Sequence, residues 1–222
     1  MELWFRSAEA VLLPTIKGWF SWRFEGVEHI PQEGPTLVAA NHISYFDPLA
    51  HAYLMVKAHR KPRFLAKSEL YENWLLRHLL EGAHQIKVVR GSGDRSPIDN
   101  AKKALADDEA VVIYPESTVT KNPDFSPMMN AKTGIARLTL QTGVPVLPVA
   151  VWGSQQVWQK DGARSLKFAR PIWVKAGPPL DFSEYSESAT DEATLRTVTA
   201  QVMTEITTLV DDLRSRYPKN WQ

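Results

Sequence analysis

Short apolar runs in this chain alternate with segments of helical spacing, and each run ends in a polar cluster. Thr36 to Ala40 ends in Asn41-His42, and Asp47-Pro48 then opens a helix through Leu49, Tyr53, Leu54 and Val56. Phe64 to Ala66 ends in Lys67, where Ser68 is read as the cap of a helix through Leu70, Trp74, Leu75 and Leu79 closed by Gly82. Gln85 to Val89 ends in Arg90, and Ser96-Pro97 starts the next helix. Ala110 to Tyr114 ends in Pro115-Glu116-Ser117-Thr118. After the irregular stretch Pro115 to Asn130, the spacing predicts a helix over Ala131 to Gln141, then a strand over Val144 to Trp152. Phe168 to Lys175 reads as one more strand. Leu195, Val198, Val202, Ile206, Val210 and Leu213 mark a long closing helix. Strands of such apolar character, separated by helices, bury both faces and pair in parallel. The expected fold is therefore α/β, a single domain with a mostly parallel central sheet flanked by helices. Its parts are an N-terminal amphipathic helix over 1–20, an α/β domain over 21–180 and an acidic helical segment over 181–222 packed on that domain.

In sheets of this kind the site lies beyond the carboxyl ends of the strands. The polar groups expected there are His42 and Asp47, Lys67, Arg90, and Glu116 with Ser117 and Thr118. Lys132, before Thr133-Gly134, is a further candidate cation. His42 and Asp47 are five residues apart, so they would not share a face of one helix. With His42 in the strand-to-helix turn and Asp47 as N-cap, with Pro48 at the first helical position, the two side chains can meet. Asp47 can then accept a hydrogen bond from Nδ1–H, fix the tautomer and leave Nε2 as a general base. Alone the pair is a weak signal, because six histidines in a chain with 25 acidic residues give about 0.7 such pairs by accident.

Composition narrows the chemistry. The chain has no cysteine, which removes thiol nucleophiles, disulfides and Cys-ligated metals. It has no Gly-x-Ser-x-Gly elbow, so a covalent acyl-enzyme of the α/β-hydrolase type is disfavoured. No second histidine stands at ligand spacing from His42, and no metal is expected. A base without a protein nucleophile suits deprotonation of a substrate hydroxyl that attacks an already activated acceptor, such as a thioester.

Charge is unevenly spread although the net is only +1. Lys57 to Lys103 carries eleven Lys and Arg against five acids, whereas Pro178 to Asp212 carries one against eight. The basic middle suits an anionic ligand or surface; nothing points to nucleic acid. Lys67 and Arg90, each after a strand, stand where a phosphate finds both side-chain charge and backbone donors. No stretch approaches the roughly twenty apolar residues of a membrane span. Met1 to Phe20 places Phe5, Ala8, Val11, Leu12, Ile16 and Trp19 at helical spacings with a bend at Pro14. Its aromatics and cations fit an interfacial helix, and equally one packed on its own domain. Glu2 and Glu9 argue against a signal peptide. The expected location is the cytoplasmic face of a membrane, peripheral, without a transmembrane span.

Together these motifs resemble the 1-acyl-sn-glycerol-3-phosphate acyltransferase family over roughly Phe24 to Pro179. Asn41-His42-Ile43-Ser44-Tyr45-Phe46-Asp47 matches the family's N-H-x-x-x-x-D block. Gln85 to Arg90 matches its strand ending in Arg, and Lys67-Ser68-Glu69-Leu70 its Lys-x-Glu-Leu segment. Tyr114-Pro115-Glu116-Ser117-Thr118-Val119 stands for F-P-E-G-T-R, and Val144-Pro145-Val146-Leu147-Pro148-Val149 for V-P-x-x-P-V. The resemblance implies acyl transfer from a thioester donor (acyl-CoA or acyl carrier protein, a co-substrate rather than a cofactor) to a lysophospholipid hydroxyl. It implies His42 as base, Asp47 as its partner, Lys67 and Arg90 on the acceptor's anionic head, and Glu116 with Thr118 shaping that pocket. Ser117 in place of Gly and Val119 in place of Arg depart from the pattern, with Lys121 two residues on as a substitute cation. The departures bear on the acceptor, which leaves a mannosylated glycolipid as an alternative substrate and a non-catalytic lipid-binding module as an alternative of another class.

Overall fold

The computed structural model describes residues 14–89, 96–188 and 190–221. Residues 1–13 of the expected N-terminal helix, and Arg90, lie outside the described residues; 14–19 are helical (α1). Seven strands form one sheet: β1 (Ser21–Glu25), β2 (Thr36–Ala40), β3 (Pro62–Lys67), β4 (Ile86–Val88), β5 (Ala110–Ile113), β6 (Val146–Trp152) and β7 (Pro171–Ala176). Their order is β1-β7-β6-β2-β5-β3-β4. β2 to β6 all run in parallel, β7 is antiparallel to β6, and β1 is parallel to β7. The helices are α2 (Asp47–Lys57), α3 (Trp74–Gly82), α4 (Ser96–Ala106), α5 (Gly134–Thr142) and α6 (Glu192–Arg216).

Handedness distributes the helices. The connections β2–α2–β3 and β3–α3–β4 step one way across the sheet, and β4–α4–β5 and β5–α5–β6 step back. Right-handed crossovers therefore put α2 and α3 on one face and α4 and α5 on the other. The long helix α6 packs on α5 and β6. It buries Leu195, Val198, Val202, Ile206, Val210 and Leu213, and so belongs to the same core as the sheet. Every residue of β2, β5 and β6 is buried, as expected for central strands covered on both faces.

Two local expectations are corrected. Ser68 does not cap a helix; it starts a 3-10 turn over Ser68–Tyr71, and Asn73 caps α3, its side chain accepting from the N–H groups of Leu75 and Leu76. Asp47 does not cap α2 either. The N-cap position is Phe46, and no side chain caps the helix. The Asp47 carboxylate turns back towards the end of β2, where it is needed for something else.

The last expected strand begins at Pro171 rather than Phe168 because Ala169 takes a left-handed conformation, φ 58, that breaks extended pairing.

Candidate active site

Three adjacent strands, β6, β2 and β5, end side by side, and each contributes to one polar cluster. Beyond β2, the buried Asn41 side chain makes two bonds with the backbone of Val151, accepting its N–H at 2.8 Å and donating to its carbonyl at 3.1 Å. The amide thus adds one rung to the β2–β6 ladder while the main chain turns away. His42 follows at the turn. Its backbone N–H donates to Glu116 Oε1 at 2.8 Å, and its carbonyl accepts the N–H of Thr120 at 2.7 Å. The loop after β5 therefore holds the His42 peptide from both sides.

Asp47 is fully buried and accepts four hydrogen bonds. Its Oδ2 takes the His42 Nδ1–H at 2.9 Å and the backbone N–H groups of Ile43 and Ser44 at 2.6 and 2.7 Å. Its Oδ1 takes the Ser154 hydroxyl at 2.6 Å. A buried carboxylate is tolerable only with such donors around it. Ser154 reaches it because Gly153 turns at φ 97 immediately after β6. A Cβ at Gly153 would lie 2.3 Å from the Pro171 carbonyl oxygen, so that turn admits no side chain. With Nδ1 donating to Asp47, the His42 tautomer is set and Nε2 keeps its lone pair. Nε2 has no hydrogen-bond partner among the described residues, and the ring lines a cleft of about 2190 Å³.

Tyr114 and His51 stand behind the imidazole. The Tyr114 ring stacks on His42 with centroids 4.2 Å apart and planes at 18°. Its hydroxyl shares a hydrogen bond of 2.9 Å with His51 Nδ1. His51 lies one helical turn after Asp47 on α2, and burial pushes its pKa down to about 4. Burial also pushes the Tyr114 phenol well above its usual range. A neutral, aromatic wall thus backs the His42 imidazole.

Glu116 acts here as a strap. Besides the His42 N–H, it accepts the N–H of Met128 at 2.8 Å, so it ties the long loop after β5 to the turn after β2. Burial pushes its carboxyl up to about 7 against the pull of those two N–H groups. The native state then binds more protons at Glu116 than the unfolded chain between pH 4.5 and about 7, so this group makes stability fall as pH rises. His51 does the opposite: from pH 6.5 down to about 4 the unfolded chain binds more protons, and stability is lost with acid. The two trends oppose each other over much of the same range. Glu116→Gln removes one of them. Its thermal midpoint, measured relative to the wild type, is expected to climb between pH 4.5 and about 7. A pH-independent offset would show that Glu116 stays ionised throughout.

The remaining expected residues divide. Lys67, at the end of β3, and Ser117, Thr118 and Lys132 line the same cleft as His42. Ser117 has φ 57, the left-handed region that glycine enters freely, which accounts for a glycine in the corresponding family motif. Val119, where that motif has Arg, is buried. Lys121 is exposed and does not line the cleft. A cation reaches this loop from elsewhere, since Lys160 Nζ donates to the Val119 carbonyl at 2.7 Å. Lys160, His51 and Ser154 were not singled out from the sequence. Only His51 left a trace there, by its helical spacing from Asp47.

Away from the polar end the cleft becomes an apolar trough. Leu49, Ala52 and Val56 of α2 form one wall, Phe64 of β3, which stacks on Tyr114 on the α2 side of the sheet, the floor, and Leu76 and Leu80 of α3 the other wall. The whole cleft, polar part included, has about twice the volume at the upper end of ordinary small-molecule sites.

A family model described as Acyltransferase matches residues 21–152, which hold the His42 turn, Asp47, Lys67 and the Glu116 loop. The chain belongs to the acyltransferase family. Among relatives of the acyltransferase domain, a 1-acyl-sn-glycerol-3-phosphate acyltransferase of Limnanthes douglasii is 26% identical over 174 residues, 77% of this chain and 58% of that protein. One of Borreliella burgdorferi is 24% identical over 164 residues, 73% of this chain and 62% of that protein. The chain thus spans between 40% and 62% of the length of the curated relatives it matches. The crystal structure of the 1-acyl-sn-glycerophosphate (LPA) acyltransferase PlsC from Thermotoga maritima superposes with a TM-score of 0.63 at 25% identity, covering 98% of this chain and 80% of that one.

Proposed function

We propose that this acyltransferase moves a fatty acyl chain from a thioester, acyl-CoA or acyl carrier protein, to the free hydroxyl of lysophosphatidic acid, giving phosphatidic acid. The observation that carries this reading is the position of His42 Nε2. It opens onto a cleft lined by Lys67 and Lys132 and by the apolar side chains of Leu49, Val56, Leu76 and Leu80. The names of the relatives agree with it. His42 takes the proton of the acceptor hydroxyl, whose oxygen attacks the thioester carbonyl, and the thiol leaves with a proton. Asp47 stabilises the imidazolium formed in that step. Lys67 and Arg90 hold the acceptor's phosphate, and Lys132 adds charge at the rim. Glu116, Ser117 and Thr118 shape the pocket through the backbone they order. The trough takes an acyl chain by burial alone, at roughly 0.8 kcal/mol per methylene.

Both lipids reside in membranes, and the enzyme works peripherally on the cytoplasmic face, held by its N-terminal helix. No described helix is long and apolar enough to cross a membrane. Incubation with palmitoyl-CoA and lysophosphatidic acid in mixed micelles is expected to release CoA and form phosphatidic acid. Turnover confined to a mannosylated lipid in the same assay would overturn the acceptor, and binding without any turnover would overturn the enzyme.

A further inference from the structure

The segment between β6 and β7 carries two large apolar side chains into solvent, Leu166 and Phe168, and Trp19 at the end of α1 stands beside them. Trp19 at the end of α1 is 41% exposed, and Leu166 and Phe168 are each 64% exposed. A single exposed hydrophobe needs no explanation, but a contiguous set does. These three touch or are bonded to one another. The Trp19 indole N–H donates to the Leu166 carbonyl at 2.7 Å, the Trp19 carbonyl accepts the Ala169 N–H at 2.9 Å, and the Trp19 and Phe168 rings meet edge to face with centroids 5.7 Å apart. The ridge is thus held out by backbone bonds rather than left loose.

Cations are interleaved with it. Arg164 and Lys167 are exposed beside it, while Arg170 is buried and Lys160 donates to the Val119 carbonyl. Arg164 lies 4.0 Å from the ring centre of Trp158, and Lys167 lies 4.4 Å from that of Trp221. Large aromatics and aliphatics among Lys and Arg are the composition of a surface that sits at the headgroup level of a bilayer. The ridge is also continuous with the site. Trp158 pairs with Arg164 within this segment, and its carbonyl accepts from the Ser44 hydroxyl at 2.7 Å and the Tyr45 N–H at 3.2 Å, within the turn that carries His42. Trp158 and Tyr45 line the cleft beside His42.

We infer that Trp19, Leu166 and Phe168, with Arg164 and Lys167, form a second docking surface that seats the mouth of the cleft on a bilayer containing anionic lipid. Its orientation relative to the site rests on the acyl-transfer reading, whereas its affinity for lipid does not. Leu166 and Phe168 insert among the headgroups, and Arg164 and Lys167 meet anionic lipid phosphates.

The test uses the full chain and two kinds of vesicle, phosphatidylcholine alone and phosphatidylcholine with phosphatidylglycerol. In co-sedimentation, Leu166→Ser/Phe168→Ser is expected to lose about tenfold or more in partitioning to the mixed vesicles. Lys167→Glu is expected to lose about fivefold on mixed vesicles and little on phosphatidylcholine alone. Thermal midpoints should match the wild type because the substituted side chains are exposed. Turnover of short-chain, water-soluble substrates should also match, while turnover of vesicle-borne substrate falls. Wild-type partitioning in the double variant would overturn the proposal. So would a wild type that ignores both vesicles, or one that dimerises in sedimentation velocity through the same residues. If no substrate is turned over but the partitioning losses appear, the docking surface stands and the acyl-transfer reading falls.

Discussion

Replacing His42 with alanine is expected to lower kcat/KM for acyl transfer by about a thousandfold or more, within the range that a positioned general base contributes. The fold should survive the change. Asp47 keeps three of its four donors, from Ile43, Ser44 and Ser154, and the His42 peptide stays held by Glu116 and Thr120. Loss of one charge-assisted bond costs about 1.5–3 kcal/mol, and a thermal melt reads it separately from the rate. Initial rates with palmitoyl-CoA and lysophosphatidic acid test the prediction. Residual turnover above roughly a hundredth of wild type in a folded His42→Ala would remove His42 from the role of base.

The α/β class was legible from the alternation of apolar runs and helical spacings, because central parallel strands must be apolar on both faces and β2, β5 and β6 are. The reversed pair β7 and β1 was not. Strand direction depends on where a connection returns to the sheet, and the loop after Trp152 comes back at the end it left. Nothing in the pattern of residues 153–170 carries that information. Asp47 shows a second limit. Asp before Pro at a helix start has a strong local reading as a cap, yet the tertiary partners His42 and Ser154 and the turn N–H groups draw the carboxylate the other way. Short-range spacing could bring His42 and Asp47 together. Ser154 arrives from 107 positions later in the chain, and Lys160 reaches the Val119 carbonyl across 41, so both depend on which strands are neighbours. The apolar trough was likewise invisible, since Leu49 and Val56 read as ordinary helix core until α3 is placed opposite them.

Substitution of Asp47 is expected to separate the charge of that carboxylate from its geometry. Asparagine fits the space. With its amide oxygen in the place of Oδ2 it accepts from His42, Ile43 and Ser44, and its amide nitrogen donates to a rotated Ser154 hydroxyl. The bonds become neutral and about half as strong, so Asp47→Asn should lose only about 1–2 kcal/mol of stability. Its rate should fall much further, by about a hundredfold or more, because nothing then offsets the positive charge that His42 acquires on taking the acceptor's proton. Alanine gives a different result. It orphans two buried backbone N–H groups and the Ser154 hydroxyl at once, each costing about 1–3 kcal/mol, so Asp47→Ala should be destabilised by several kcal/mol as well as inactive. Melting curves and initial rates on the same two preparations decide the matter. If Asp47→Asn melted near the wild type and turned over at the wild-type rate, the carboxylate would be a scaffold for the turn after β2 and no part of the proton transfer.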